Sequence, residues 1–315
     1  MPLVQTILYL LVGAGLLWKA GDFLVDGAVR LSTRYRIPPA LAGVFILGFG
    51  TSFPELAVSG MAAWSGDADI AAGNVVGSNI ANVALILGLT AALAPVLVNR
   101  FLLRIEIPIA VLASILAFVL VLDARVSRVD GLVLLGAFAA YALVAVRTAS
   151  LREVPEERPT TSESAWLEVG LAAIGLVGVL AGGWFFLEGA KDAAVRAGMS
   201  QAAIGQTLVA VGTSLPELAT SVAAARARQP DMALGNVVGS NIFNVLLVLG
   251  VAGVLRDQNV SEVLPQVSLP LMTALAIYPW ALGALRGRIG RFAGLVLILT
   301  YAGFVAWNLF HGGAA

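Results

Sequence analysis

The sequence predicts an all-α integral membrane protein of ten transmembrane helices, built as two inverted five-helix repeats. Three observations carry that prediction: a composition too apolar for a soluble fold, ten long apolar runs between short charged loops, and a duplicated block at a constant offset. Of the 315 residues, 59% are hydrophobic before the 34 glycines are counted and 12% are charged. Soluble chains average roughly 45–50% apolar with glycine included and about 25% charged. The charges balance at 19 of each sign, so neither a nucleic-acid partner nor an acidic tail is expected. There is no cysteine, and the single histidine is His311 near the end. Disulfide frameworks, Cys/His zinc sites, thiol nucleophiles and histidine bases are thereby excluded together, and no enzyme is expected.

The apolar runs are each about 18–28 residues long, enough to cross roughly 30 Å of hydrocarbon. They cover Leu3 to Arg30, Ile37 to Trp64, Asp69 to Val96, Ile105 to Leu122, Val129 to Val146, Trp166 to Ala193, Ser200 to Ala225, Asp231 to Val254, Leu264 to Leu285 and Gly290 to Phe310. The first lacks a basic region ahead of it and nine more follow, so it reads as a retained helix rather than a cleaved signal. Cationic residues are enriched on the cytoplasmic side of short loops. With the N-terminus outside, thirteen of them fall on the inner side, from Arg30, Arg34 and Arg36 to Arg286, Arg288 and Arg291. Five fall outside: Arg125, Arg128, Lys191, Arg196 and Arg256. Both termini are therefore expected outside and the helix count even. The polar stretch Arg147 to Ala165 reads as a cytoplasmic linker between a first half, 1–146, and a second, 166–315.

The halves repeat. GTSFPELAVSGMAAW from Gly50 aligns with GTSLPELATSVAAAR from Gly212, and AAGNVVGSNIANVALILG aligns with ALGNVVGSNIFNVLLVLG at the same offset of 162. From Gly50 to Gly88 against Gly212 to Gly250 there are 25 identities in 39 ungapped positions. Five helices per half force the second half to insert upside down. Inverted repeats are typical of transporters, whose halves meet around a site near the bilayer midplane.

The repeated cores carry the chemistry. Glu55 and Glu217 lie in otherwise apolar spans, where an ionisable side chain costs about 2.5–3.5 kcal/mol unless paired or hydrated. No Lys, Arg or His accompanies either motif in its span, so a bound cation is the natural partner. The competing reading is a pair of protonated glutamates hydrogen-bonded between helices. Pro54 and Pro216, just before the glutamates, remove a backbone donor and free carbonyls one turn earlier, near Gly50 and Gly212. The hydroxyls of Thr51, Ser52, Thr213 and Ser214 add neutral oxygen, which suits sodium or calcium rather than soft transition metals. In the second motif, Ser78 and Asn82 share a helix face, as do Ser240 and Asn244. Asn74, Asn79, Asn236 and Asn241 add four amides, read as ion ligands or helix-end caps. Gly73, Gly77, Gly235 and Gly239 have the small-xxx-small spacing of close helix contacts.

The duplicated GTS-x-PE and GN-x-x-GSN-x-x-N blocks resemble the alpha repeats of the sodium/calcium exchanger family, within the cation/calcium antiporter superfamily. That resemblance implies a secondary antiporter working by alternating access, with a site built by the second, third, seventh and eighth helices. Carried over by position, the acidic ligands are Glu55 and Glu217, and the hydroxyl ligands Thr51, Ser52, Ser78, Thr213, Ser214 and Ser240. Asn82 and Asn244 become the amide ligands, and Gly48 and Ala210 the backbone carbonyls. The first and sixth helices become a long gating pair. Some members, including potassium-dependent ones, carry Asp where this chain has Asn244, so the resemblance favours a potassium-independent exchanger. The short linker is similar to prokaryotic members, which implies a multi-pass protein of the cell inner (plasma) membrane. The expected partners are calcium and sodium ions and the lipid bilayer, with no obligate protein partner and no cofactor. A calcium/proton antiporter could use the same two glutamates. A channel fits an inverted duplication poorly, and a membrane enzyme lacks a nucleophile or base.

Overall fold

A computed structural model describes residues 2–149, 164–197 and 210–311. The apolar runs become helices: α1 (Leu3–Arg34), α2 (Pro39–Thr51), α3 (Phe53–Ser65), α4 (Ala68–Leu93), α5 (Leu102–Leu120), α6 (Arg128–Ala149), α7 (Ala165–Arg196), α8 (Ala210–Thr213), α9 (Leu215–Arg226), α10 (Pro230–Leu255), α11 (Leu264–Arg286) and α12 (Arg291–His311). Among the described residues eight helices are long and apolar enough to cross a membrane. The bent pair α2 and α3 makes a ninth. The seventh expected span, Ser200 to Ala225, appears from Ala210 onward as α8 and α9. Its first ten residues and most of the expected linker lie outside the described residues.

The helices differ in how much they bury. Four-fifths of α4 and α10 is enclosed, at 78% and 83% of their apolar windows, against 22% for α1, α6 and α7 and 17% for α12. The centre is therefore the pair carrying the GN-x-x-GSN-x-x-N motifs, and the remaining helices present apolar side chains outward. Such a surface is stable only where water is absent.

The duplication is visible in the geometry. Wide π-type turns occupy Asn82–Leu87 and Asn244–Leu249, and again Leu102–Glu106 and Leu264–Ser268, each pair 162 residues apart. Two short antiparallel ladders join the halves. β1 (Val96–Leu97) pairs with β4 (Arg288–Ile289), and β2 (Arg125–Val126) pairs with β3 (Gln258–Asn259). One ladder lies before α5 and the other after it.

α1 and α7 form the longest helix contact. A Cβ on Gly13 would stand 2.5 Å from the backbone N of Phe186, and one on Gly27 would stand 2.5 Å from that of Ala172. Only glycine permits that approach. Polar ties close both ends of the pair. Arg34 Nη2 donates to the buried Glu168 carboxylate at 2.8 Å, and Thr6 donates to Asp192.

Candidate functional site

The Thr-Ser-x-Pro-Glu motifs interrupt the second and seventh expected spans and start new helices. α2 ends at Thr51, Ser52 takes φ −79° and ψ 3°, and α3 begins at Phe53 with a bend of 42°. Pro54 thus falls in the first turn, where a missing N–H costs nothing. Ser214 plays the same part between α8 and α9, with φ −91° and ψ 7°. Glu55 and Glu217 are thereby placed in the first turn of α3 and α9, where the helix dipole favours a negative charge. The carbonyl of Gly48 lies one turn before the break. It accepts from Ser52 N–H at 3.3 Å, from Ser52 Oγ at 2.8 Å, and from Ser240 Oγ at 3.3 Å.

Glu55, Glu217, Thr51, Ser52, Ser78, Asn82, Thr213, Ser214, Ser240 and Asn244 are all buried, both glutamates completely. Gly48 is buried as well, and so close to α10 that a Cβ on it would stand 2.9 Å from Ser240 N. Ala210 heads α8, at the edge of the described residues. The hydroxyls reach across the halves. Ser214 Oγ donates to Glu55 Oε1 at 3.4 Å, and Ser78 and Thr213 also face that carboxyl, 3.3 Å from each other. Thr51 and Ser240 hold the repeat-related places beside Glu217, but they bond the Leu47 and Gly48 carbonyls and leave both Glu217 carboxyl oxygens without a partner.

The amides divide into two kinds. Asn74 donates to Ser59 Oγ at 3.0 Å and to the Glu55 carbonyl at 3.5 Å. Asn236 donates to Ser221 Oγ and Thr220 Oγ1 at 2.9 Å and to the Glu217 carbonyl at 3.2 Å. These two brace the glutamate-bearing helices against α4 and α10. Between those central helices, Asn241 accepts from Asn79 at its carbonyl, 3.2 Å, and from Asn82 at Oδ1, 3.0 Å. Asn82 keeps its own Oδ1 free, as does Asn244.

Buried acceptors without partners are costly, roughly 1–3 kcal/mol each. Here Glu55 Oε2, both Glu217 carboxyl oxygens, Asn82 Oδ1 and Asn244 Oδ1 are in that condition together. Among the described residues no group of three or more His, Cys, Asp and Glu is gathered. The donor set is thus two carboxylates amid neutral hydroxyl, amide and carbonyl oxygen, a set for a hard cation. A crevice of about 10 Å³ between Phe49, Phe53 and Phe243 comes up to Ser52.

Two features escaped the sequence reading. The π-type turns begin at Asn82 and Asn244, and nothing in an apolar run marks them in advance. Glu106 is a third fully buried carboxyl, hydrogen-bonded by Tyr141 Oη at 2.7 Å. Its place beside Arg104 at the edge of an expected span disguised it as an end charge.

The sequence profile of the sodium/calcium exchanger protein family matches residues 5–147 and 167–310. The putative antiporter CaxA of Alkalimonas amylolytica is 36% identical, covering 96% of this chain and 98% of its own. The sodium/calcium exchanger MaX1 of Methanosarcina acetivorans is 30% identical, covering 95% and 97%. A solved structure of the sodium-calcium exchanger NCX_Mj, soaked with sodium and calcium, superposes with a TM-score of 0.84 at 33% identity, covering 96% of this chain and 97% of that one. With both halves of the chain matched and full-length relatives at these identities, the protein belongs to the sodium/calcium exchanger family of membrane antiporters.

Proposed function

We propose that this protein exchanges sodium for calcium across the cell inner (plasma) membrane by alternating access, at a site held by Glu55 and Glu217. The observation that carries the reading is the set of five unpartnered buried oxygens on Glu55, Glu217, Asn82 and Asn244, with no cationic side chain among them. One calcium, or two sodium ions, neutralises the two carboxylates. The serine and threonine hydroxyls and the carbonyls of Gly48 and Ala210 complete the coordination. Both ions use overlapping positions, so they alternate rather than travel together.

The ten-helix inverted repeat, with halves 1–146 and 166–315 around a linker at 147–165, is the architecture we assign. The ladders support it: β1 and β2 flank the opposite ends of α5, while β3, which matches β1 at the offset of 162, pairs with β2. Repeat mates thus sit at opposite ends of the bundle. Both termini are extracytoplasmic in this arrangement.

The test is radioactive calcium flux in proteoliposomes under an imposed sodium gradient, then a proton gradient. Flux under sodium alone is expected; flux under protons alone would make the protein a calcium/proton antiporter instead. If a third sodium also binds neutral oxygens, each cycle moves one net charge, worth about 2.3 kcal/mol per 100 mV. Sodium-driven flux is then expected to change when a potassium gradient with valinomycin sets the potential. Voltage-independent flux would mean a two-for-one exchange.

A further inference from the structure

The gating pair does not lie evenly across the repeats. α1 packs along α9, where a Cβ on Gly21 would stand 3.3 Å from the Ala219 carbonyl oxygen and 3.5 Å from Ala223 Cβ. At the matching position on α7, Gly183 faces Pro216 and Leu215 of α9, not α3. Both long helices therefore lean on the second half. At the end of this contact Arg226, the last residue of α9, donates Nη1 to Asp22 at 3.2 Å. The same guanidinium lies over the Trp18 ring, 3.9 Å from its centroid. Asp22, Asp26 and Arg226 line a cavity of about 450 Å³ beside Val25 and Gln229.

The offset of 162 places Leu180, Trp184 and Trp64 at the positions corresponding to Trp18, Asp22 and Arg226. None of these is charged, and Trp64 and Trp184 are exposed. The cation, carboxylate and indole thus come together in one half only. In a pair of access routes otherwise related by symmetry, this is an attraction on one side with no counterweight on the other.

We propose that Arg226 is a latch. It holds α1 against α9 and biases the exchanger toward the state in which this end is closed. The inference rests on the alternating-access reading above, and in the orientation given there the latched end is cytoplasmic. A planar guanidinium can serve a carboxylate with its edge and an indole with its face at once, which a lysine cannot. Each attraction is modest at a half-exposed site, so the latch shifts the population of two states without stopping the cycle.

The sequence has no cysteine, so single reporters can be introduced cleanly. Val25→Cys places one in the latched cavity, and Leu187→Cys places its repeat mate toward the other end of α7. Maleimide labelling of purified protein reads access at each. Arg226→Gln is expected to speed labelling at position 25 by roughly threefold to tenfold and to slow it at position 187. The swap Arg226→Asp with Asp22→Arg restores the ion pair and is expected to return part of the difference. Unchanged rates at both reporters, or faster labelling at both, would overturn the latch. The parent protein provides the separation: reporters that move in opposite directions between sodium and calcium buffers uphold alternating access, and an unaffected Arg226→Gln variant then sinks the latch alone. Parent reporters that never move reciprocally overturn both.

Discussion

Residues 50–88 and 212–250 carry the same glutamates and asparagines and, apart from Thr220 in place of Val58 and Ser65 in place of Ala227, the same hydroxyls, yet the structure closes them differently. In the second block Thr213 reaches into the first half, donating to Asn74 Oδ1 at 3.2 Å and lying 3.3 Å from Ser78. In the first block Thr51 donates back to the Leu47 carbonyl at 3.0 Å, and Asn236 Oδ1, the mate of the Asn74 acceptor, has no partner. The two long helices likewise lean toward α9. A chain with near-identical halves has therefore settled in an asymmetric arrangement. The repeated residues line the candidate site, and the contacts that differ between the halves lie around it and at the ends of the long helices. Under the alternating-access reading proposed above, such unrepeated contacts are what separates two otherwise equivalent shapes.

The strongest way to break this comparison is at the glutamates. Glu55→Gln and Glu217→Gln are each expected to abolish calcium flux in proteoliposomes while leaving a folded, membrane-inserted protein. Removing one partner from a buried charge assembly costs about 3–5 kcal/mol, roughly 100-fold to 1,000-fold in occupancy or more. Wild-type-like flux in either variant would remove the site. Failure of only one would show that the halves do not share the ion.

Asn244→Asp comes next. A third carboxylate beside the two glutamates must take up a proton or recruit a further cation, so flux should become sensitive to pH or to potassium. A variant indistinguishable from the parent between about pH 6 and 9, with and without potassium, would take Asn244 out of the ligand set.

The asymmetry itself is sharpened by Asn74→Ala and Asn236→Ala. Both lose a brace on the glutamate helix, but the first also severs the bond from Thr213. One hydrogen bond is worth about 1 kcal/mol, so apparent calcium affinity should fall about fivefold further in Asn74→Ala than in Asn236→Ala. Equal losses would mean that the Thr213 bond carries no weight.

The smallest effect is expected outside the membrane. Asp257 accepts from the Arg128 backbone N–H at 2.7 Å, at the start of α6, with Arg125 beside it, and these hold its carboxyl below the usual aspartate range. A carboxyl lowered in the folded state stabilises fully above its ordinary value of about 4 and loses that contribution as pH falls through the lower folded value. Asp257→Asn should therefore lower the melting temperature slightly at neutral pH. The gap from the parent should narrow under acid; a constant gap would assign the effect to lost geometry rather than charge.

Much of this arrangement was readable from the residues because hydropathy and length are local properties. Eight of the expected spans appear among the described residues as single apolar helices and the second as a bent pair, and Glu55 and Glu217 stand out as charges in apolar runs. What was not readable depends on which face meets which. The pairing of Ser214 and Thr213 with Glu55, rather than with the glutamate three and four residues away in their own motif, follows from the orientation of α9 against α4. The break at Ser52 needed knowledge that Pro54 begins a helix, and a proline in an apolar run serves equally for a kink. The bracing bonds of Asn74 and Asn236 could not be read in advance because a brace and a ligand are the same residue type in the same span.

The crossing of hydroxyls between halves has a consequence for how such a chain could have arisen. Glu55 accepts a hydrogen bond from Ser214 of the other half and has Ser78 of its own half beside it, while both carboxyl oxygens of Glu217 are without a partner. Under the site and topology proposed above, a five-helix ancestor would have completed its ligand set by meeting a second copy of itself inserted the other way up. Ion binding would then have preceded gene fusion as a property of a dual-topology dimer, and joining the copies in one chain freed each to acquire unshared residues.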